Sequence, residues 1–386
     1  MHLSLSSHID QYQKTGLTKI FGLDKPTVDI YRECVEDLFR IEHPFIPTGT
    51  ELFEKSFKKY SQYMLSDSSY RQNARILKFP WRSDYSYIIP NQILYSRLRT
   101  SRNRYLISDE EQAKFRNSTI GIAGLSVGSN ILNSLVLTGG PTRYSLADGD
   151  TLSLTNMNRI FDSLVNIGSS KIVNVMHKNL ELDPYLSFNY DQNYLSKEGF
   201  DKFFFIDGER LSLFFEEMDD ISLKIHSRFF ARKHRIPVVM LTDNGDNVII
   251  DVERFDIEPK RKILHGLIDE DEYKNIPAKL TQVEKVKFAN SIVGPDVVPA
   301  MRDSLQMVGS RLPTWPQLGT AAMLSGVVGS YIARSIIAGR KILSGRYRID
   351  LESILDNDYH LPESVTAREL HKDRFIKSME IIFGKL

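Results

Sequence analysis

STIGIAGLSVGSNILNSLVLTGG, residues 118–140, decides the fold. Its opening is a short β-branched run ending in glycine, and the remainder carries apolar residues at helical spacing, so the stretch predicts a strand, a tight turn and a helix. The alternation continues downstream. RYSLAD (143–148) predicts a second strand, Lys171 to Leu180 a helix, LSFNYD (186–191) a strand, and KFFFID (202–207) a strand ending in an acid. ISLKIHSRFFARKH (221–234) then predicts a helix, IPVVML (236–241) a strand and NVIIDV (247–252) its extension. Parallel neighbours need crossover helices, so the expected fold is α/β, a Rossmann-like, doubly wound, mostly parallel sheet.

Outward from this core, residues 1–104 read as a mainly helical accessory domain, with helix-like stretches at Thr27 to Phe39 and Glu51 to Met64. Residues 105–345 read as the doubly wound α/β domain and 346–386 as a polar C-terminal extension. The chain has 386 residues, 41% hydrophobic and 26% charged, enough to bury a large core in two or three domains. Lys+Arg 50 against Asp+Glu 49 leaves a net charge of +1, so no global field gathers nucleic acid or an anionic membrane. The single cysteine, Cys34, excludes an internal disulfide framework and a CxxC zinc site, and points to a cytoplasmic setting. No basic region followed by an apolar one marks the N-terminus as a signal. Leu312 to Ala333 is uncharged but broken by Pro313 and Pro316, and reads as a buried small-residue helix from about Thr320 to Ile337 rather than a span.

In a doubly wound sheet ligands sit outside the carboxyl ends of the strands. Gly124-Leu125-Ser126-Val127-Gly128 stands at the first such end, with glycines for the turn and free helix N–H groups for a phosphate. Its GxSxG spelling also admits a nucleophile elbow on Ser126, but no acid-then-histidine pair follows. Asp148 lies 20 residues beyond Gly128, the separation at which an acid reaches ribose hydroxyls. Asp150, Asn156, Arg159 and Lys171 come next. A guanidinium and an ammonium beside an acid-lined nucleotide pocket suit a triphosphate, whereas a nicotinamide dinucleotide needs no such pair.

These motifs together resemble the ThiF/MoeB/ubiquitin-activating E1-like family, with its glycine turn, DxDxxxxxNxxR and G-x-x-K. The resemblance implies ATP as substrate, with Gly124, Ser126, Gly128, Asp148, Asp150, Asn156, Arg159 and Lys171 around it. It aligns Asp219, in Glu217-Met-Asp219-Asp220-Ile-Ser-Leu-Lys224, with a Mg²⁺-binding aspartate, and Arg99-Thr-Ser-Arg102-Asn-Arg104 with a segment that lends an arginine finger to a neighbouring subunit. Arg102 is preferred by spacing, with Arg104 close behind, and a homodimer is implied. Asn156 would orient the α-phosphate or support its loop.

The implied reaction is attack of a peptide carboxylate on the α-phosphate, releasing pyrophosphate and leaving an acyl adenylate. The glycine turn is one residue short and carries Ser126 where glycine is usual. No CxxC pair exists, so no zinc is expected, and no cysteine lies in the catalytic half to take a thioester. The adenylate is then consumed by a non-cysteine nucleophile, as in the stand-alone members that modify ribosomal peptides in antibiotic biosynthesis, such as the microcin C7 maturation enzyme. There the accessory region would clamp a leader segment; a dimerisation cap is the plainer reading. Thr242, Asp243 and Asn244 either line the acyl site or form an Asx turn into Gly245. His226, His234 and His265 read as packed or surface residues. A noncatalytic nucleotide-binding scaffold and a nicotinamide oxidoreductase are the other readings; the latter leaves Arg159, Lys171 and Asp219 without a task.

Overall fold

The computed structural model describes residues 1–4, 9–11, 26–273, 276, 280, 284, 288, 291–295 and 297–383. Its main sheet has eight strands: β1 (His2–Ser4), β2 (Thr119–Ala123), β3 (Arg143–Ala147), β4 (Ser187–Asp191), β5 (Leu213–Glu216), β6 (Val238–Asn244), β7 (Asn247–Glu253) and β8 (Gly345–Ile349). The spatial order is β1-β4-β3-β2-β5-β6-β7-β8. The five central strands from β4 to β6 are parallel, and β1, β7 and β8 run antiparallel to their neighbours. β2 is buried along its whole length, as a strand covered on both faces must be.

Four helices matter for the site: α1 (Val127–Leu137), α2 (Lys171–Leu182), α3 (Ile221–Lys233) and α4 (Gly319–Ile337). Ile122, Leu146, Phe188, Phe215 and Leu241 face one core with residues of α1, α2 and α4, while Ala123, Ala147, Phe214 and Met240 face a second with Ile225 and Ala231 of α3. The Leu, Ile, Phe and Met side chains so enclosed contribute roughly 1.5–3 kcal/mol each. Among the described residues α4 is the one helix long and apolar enough to cross a membrane; it packs into the first core, with Ala321, Ala322 and Ala333 fully buried.

One strand assignment is corrected. KFFFID is not a strand of the main sheet: Phe200–Phe204 is a short helix, and Phe205–Ile206 pairs with Glu209–Arg210 in a two-stranded hairpin. Phe200, Phe203 and Phe204 share helical spacing and pack, mostly edge to face, against Phe214 and Phe230. The slot beside β2 goes instead to β5, with Phe215 opposite Ile122.

The accessory region keeps its helices, Ile30–Glu33, Val35–Glu42, Glu51–Met64, Asp67–Asn73 and Gln92–Arg99, but also holds a four-stranded sheet in the order Ile9–Gln11, Ala74–Phe79, Arg82–Pro90, Thr27–Asp29. It is fastened to the main body. Leu77, Phe79 and Ile89 enter the first core, and Trp81 stacks on His177 at 3.8 Å while donating to Glu181 at 2.8 Å. Arg99 donates to the last carbonyls of α1 and α2, at Val136 (3.0 Å) and Leu182 (3.2 Å), where a cation also suits the helix dipoles. The main sheet draws strands from both sides of residues 105–345, since β1 precedes that segment and β8 reaches past its end.

Candidate active site

The chain leaves β2 for β3 on one side and returns to β5 on the other, so the carboxyl ends of β2 and β5 flank a topological switch point. Gly124 closes β2 there with φ +89°, and a Cβ on it would stand 2.3 Å from the Glu217 carbonyl oxygen. Only glycine permits both that conformation and that approach. α1 starts immediately after, with no side chain capping its first turn, and α2 and α4 also begin without a side-chain cap. Uncapped N–H groups at helix starts favour anions.

Asp148, 7% exposed, follows β3. Its carboxylate accepts the Leu125 N–H at 2.6 Å and the Asp150 N–H at 2.8 Å, tying the second strand end to the glycine turn. Burial raises its pKa above the ordinary carboxylate value against those two bonds. Each oxygen retains a lone pair for a hydroxyl donor. Asp150 receives Lys171 Nζ at 2.8 Å on one oxygen and the Tyr194 hydroxyl on the other. Burial opposes its ionisation, but Lys171 and Tyr194 outweigh this and hold the carboxyl below its usual range. Lys171 is itself buried.

Arg159 reaches back across the crevice. Its Nε donates to Ser126 Oγ at 2.8 Å, and its Nη1 to Asn158 Oδ1 at 2.9 Å and the Thr155 carbonyl at 3.2 Å. Ser126 thus has a task that glycine could not perform: it fixes the guanidinium. Asn130 Nδ2 secures the Arg159 carbonyl at 2.9 Å, and Asn158 Nδ2 donates to the Gln317 carbonyl at 2.8 Å, so the loop is pinned to α1 and to the segment entering α4. Asn156 supports this loop, its Oδ1 accepting the Ser153 N–H at 3.0 Å.

Acids face Arg159 from the loop after β5, Asp219, and from the carboxyl end of β6, Asp243. Half-burial lowers its pKa, while the charges of Asp243 and Asp219 act in the opposite sense. Asp219 is exposed at the mouth, one residue before Asp220, which caps α3 by accepting the Leu223 N–H at 2.8 Å. Among the described residues the Asp219 carboxylate has no hydrogen bond or ion pair, and no cluster of three or more metal-ligating side chains is present. A lone carboxylate beside a phosphate cradle fits Mg²⁺, which keeps several waters and takes phosphate oxygens from the substrate.

Asp243 is 2% exposed; Gln317 Nε2 reaches one oxygen at 3.3 Å, and the other has no hydrogen-bond partner. Burial pushes its pKa up to about 7, with Arg159 moderating the rise. Glu217, which accepts the Leu241 N–H at 3.0 Å, is pushed well above the ordinary carboxyl value by burial and then by neighbouring Glu216. Glu216 itself is held below the ordinary carboxyl range: burial opposes ionisation, but Lys224 at 2.8 Å and Arg228 outweigh it. Lys224 therefore turns into this pair. Arg228, fully buried, also holds Glu253 at 2.7 Å, and Glu216 Oε1 accepts the Met218 N–H at 2.9 Å, bracing the loop that presents Asp219.

Arg102 and Arg104 lie outside this constellation, both exposed; Arg104 stands 4.0 Å from Asp109. The histidines have other partners: His226 meets Lys197, His234 caps α3 and His265 meets Asp251. Trp315 packs with Ile249, Val297 and Met301. Sequence reasoning missed the Ser126–Arg159 bond, the isolated Asp243 oxygen and Tyr194. The serine in a glycine position was the available signal for the first, and the position of Asp243 just past an apolar strand run for the second.

A family model described as the ThiF family matches residues 100–346. The uncharacterized protein MT1398 of Mycobacterium tuberculosis (strain CDC 1551 / Oshkosh) is 33% identical over 279 residues, covering 72% of this chain and 38% of that protein. The tRNA threonylcarbamoyladenosine dehydratase of Bacillus subtilis (strain 168) is 26% identical over 172 residues, 42% of this chain and 66% of the dehydratase. The chain thus spans just over a third of the first relative and just under two thirds of the second. Among solved structures, Escherichia coli MccB with MccA matches with TM-score 0.46 and 15% identity over 80% of this chain and 77% of that one. The E. coli tRNA N6-threonylcarbamoyladenosine dehydratase TcdA with AMP matches with TM-score 0.44 and 15% identity over 63% and 95%.

Proposed function

The chain belongs to the ThiF family of E1-like adenylating enzymes, and from that premise we propose that it adenylates a carboxylate on a peptide with ATP and Mg²⁺. The observation that carries this reading is the meeting of Arg159 with Ser126 of the glycine turn, inside the fields of Asp219 and Asp243 and across from Asp148. A carboxylate oxygen of the substrate attacks the α-phosphorus; the new O–P bond forms as the bond to pyrophosphate breaks, and the electron pair leaves with pyrophosphate. Charge spreads over the phosphoryl oxygens during transfer, and fixed cations lower its cost without reorganising. Arg159 is fixed on its Nε and Nη1 edges and offers Nη2 to a phosphate. Lys171 exchanges Asp150 for a phosphate oxygen, Asp148 accepts the ribose hydroxyls, and Gly124, Gly128 and the first turn of α1 give the phosphates close approach to backbone N–H groups. Asp219 would hold Mg²⁺, whose contribution is charge neutralisation on the phosphates.

The acyl adenylate would be consumed by a nucleophile other than cysteine. Cys34 sits in the accessory region at the end of the helix Ile30–Glu33, and burial followed by the neighbouring acids raises its thiol pKa, the reverse of an activated thiol. We read residues 1–104 as the peptide-recognition region, 105–345 as the adenylation unit and 346–386 as an extension, and place the protein in the cytoplasm, in biosynthesis of a ribosomal peptide product. A homodimer, with Arg102 or Arg104 acting on the neighbouring subunit's ATP, is supported by the exposure of both arginines and by Met323, Val327 and Tyr331, an exposed apolar stripe at i, i+4 and i+8 on α4.

Pyrophosphate exchange into ATP tests the function. Exchange that needs a peptide and collapses in Arg159→Ala and Asp219→Ala is expected. Nucleotide binding without exchange against a broad peptide set would make the protein a scaffold.

A further inference from the structure

A nucleotide lying in this crevice has a direction. If the phosphates occupy the switch point beside β2 and the ribose meets Asp148 at the end of β3, the base extends toward the next strand outward, β4. β4 ends at Asp191, and three residues later stands Tyr194, 66% exposed. Its ring rests on the backbone of the Asp148–Asp150 turn: a Cβ on Gly149 would stand 3.0 Å from the ring's Cδ2 and Cε2 atoms. Its hydroxyl donates to Asp150, whose other oxygen holds Lys171. The ring is therefore held along one side and at its tip while most of its surface faces solvent. Shielding the Asp150–Lys171 pair would need only the hydroxyl; a broad exposed aromatic surface next to the ribose-binding acid suits a flat ligand.

We propose that Tyr194 is the platform on which the nucleotide base stacks. The inference rests on the ATP reading above and adds the residue that recognises the base. Every base has a π-face, so such a platform distinguishes a nucleotide from a bare polyphosphate more than adenine from guanine.

Calorimetric titration of the full chain with Mg²⁺ and either ATP, GTP or inorganic tripolyphosphate tests it, using wild type, Tyr194→Phe and Tyr194→Ala. The expected result is an ATP Kd raised about tenfold in Tyr194→Ala, GTP weakened in parallel, tripolyphosphate within twofold of wild type, and Tyr194→Phe close to wild type for ATP. Unchanged ATP affinity in Tyr194→Ala overturns the proposal. So does equal weakening of ATP and tripolyphosphate, which would leave Tyr194 only as the brace of Asp150. Wild-type protein that binds tripolyphosphate but gains nothing from a base also overturns it, whereas wild-type protein that binds no ATP overturns the adenylation reading and this proposal with it.

Discussion

Replacing Asp243 by asparagine isolates one buried charge. The carboxyl is pushed by burial to about 7 from an ordinary 3.8, so between those values the folded protein holds a proton that the unfolded chain releases. Its contribution to stability is therefore complete below about pH 4 and is lost as pH rises through 7. At about 1.36 kcal/mol per pH unit the full loss is of order 4 kcal/mol. The 2% exposure leaves little solvent to screen it, and one oxygen has no hydrogen bond to favour the ionised form, which Arg159 and Gln317 compensate only in part. Asparagine has the same shape and no charge, so Asp243→Asn should match wild type only below about pH 4, exceed it by roughly 1–2 kcal/mol at pH 5 and by about 4 kcal/mol at pH 8. Urea unfolding followed by circular dichroism at pH 5, 6, 7 and 8 reads the difference directly. In an Arg159→Ala background the wild-type curve should bend at higher pH, because the guanidinium that eases ionisation is gone. Parallel stability profiles for wild type and Asp243→Asn would refute the reasoning.

Three further outcomes follow from the same geometry. Gly124→Ala should abolish ATP binding and lower stability by at least roughly 1–3 kcal/mol, since it adds left-handed strain to a contact with Glu217; nucleotide titration and urea melts check both. Arg228→Met leaves Glu253 without its cation and Glu216 with Lys224 alone, so unfolding should come about 3–5 kcal/mol easier, and more so at pH 8 than at pH 5, where the stranded carboxyls can protonate. Ser126→Ala removes the bond at Arg159 Nε, and ATP affinity should fall roughly fivefold for about 1 kcal/mol with little change in melting temperature; equal affinity would deny Ser126 its positioning role.

The glycine turn, Asp148 and the Asn156–Arg159 loop were legible because each is local: a turn, a strand end and a short loop announce themselves within a few residues. Two kinds of feature were not. KFFFID reads as a strand because four apolar residues in a row satisfy either period, and the choice was made by the pairing of Leu213–Glu216 with β2, some ninety positions away. The accessory hairpin Ala74–Phe79 with Arg82–Pro90 alternates only in part, and its identity depends on packing Leu77 and Phe79 into the main core. Charge partnerships across elements are equally silent in sequence. Nothing near Glu216 foretells Arg228 and Glu253, and nothing near Lys171 foretells its ion pair with Asp150.

The most direct measurement is a crystal structure with a non-hydrolysable ATP analogue and Mn²⁺, the metal located by anomalous scattering. The expected result is the triphosphate over Gly124 to Gly128 with Arg159 and Lys171 on its oxygens, the ribose on Asp148 and the metal peak beside Asp219. A nucleotide seated away from the β2–β5 crevice, or a metal remote from Asp219, would contradict it.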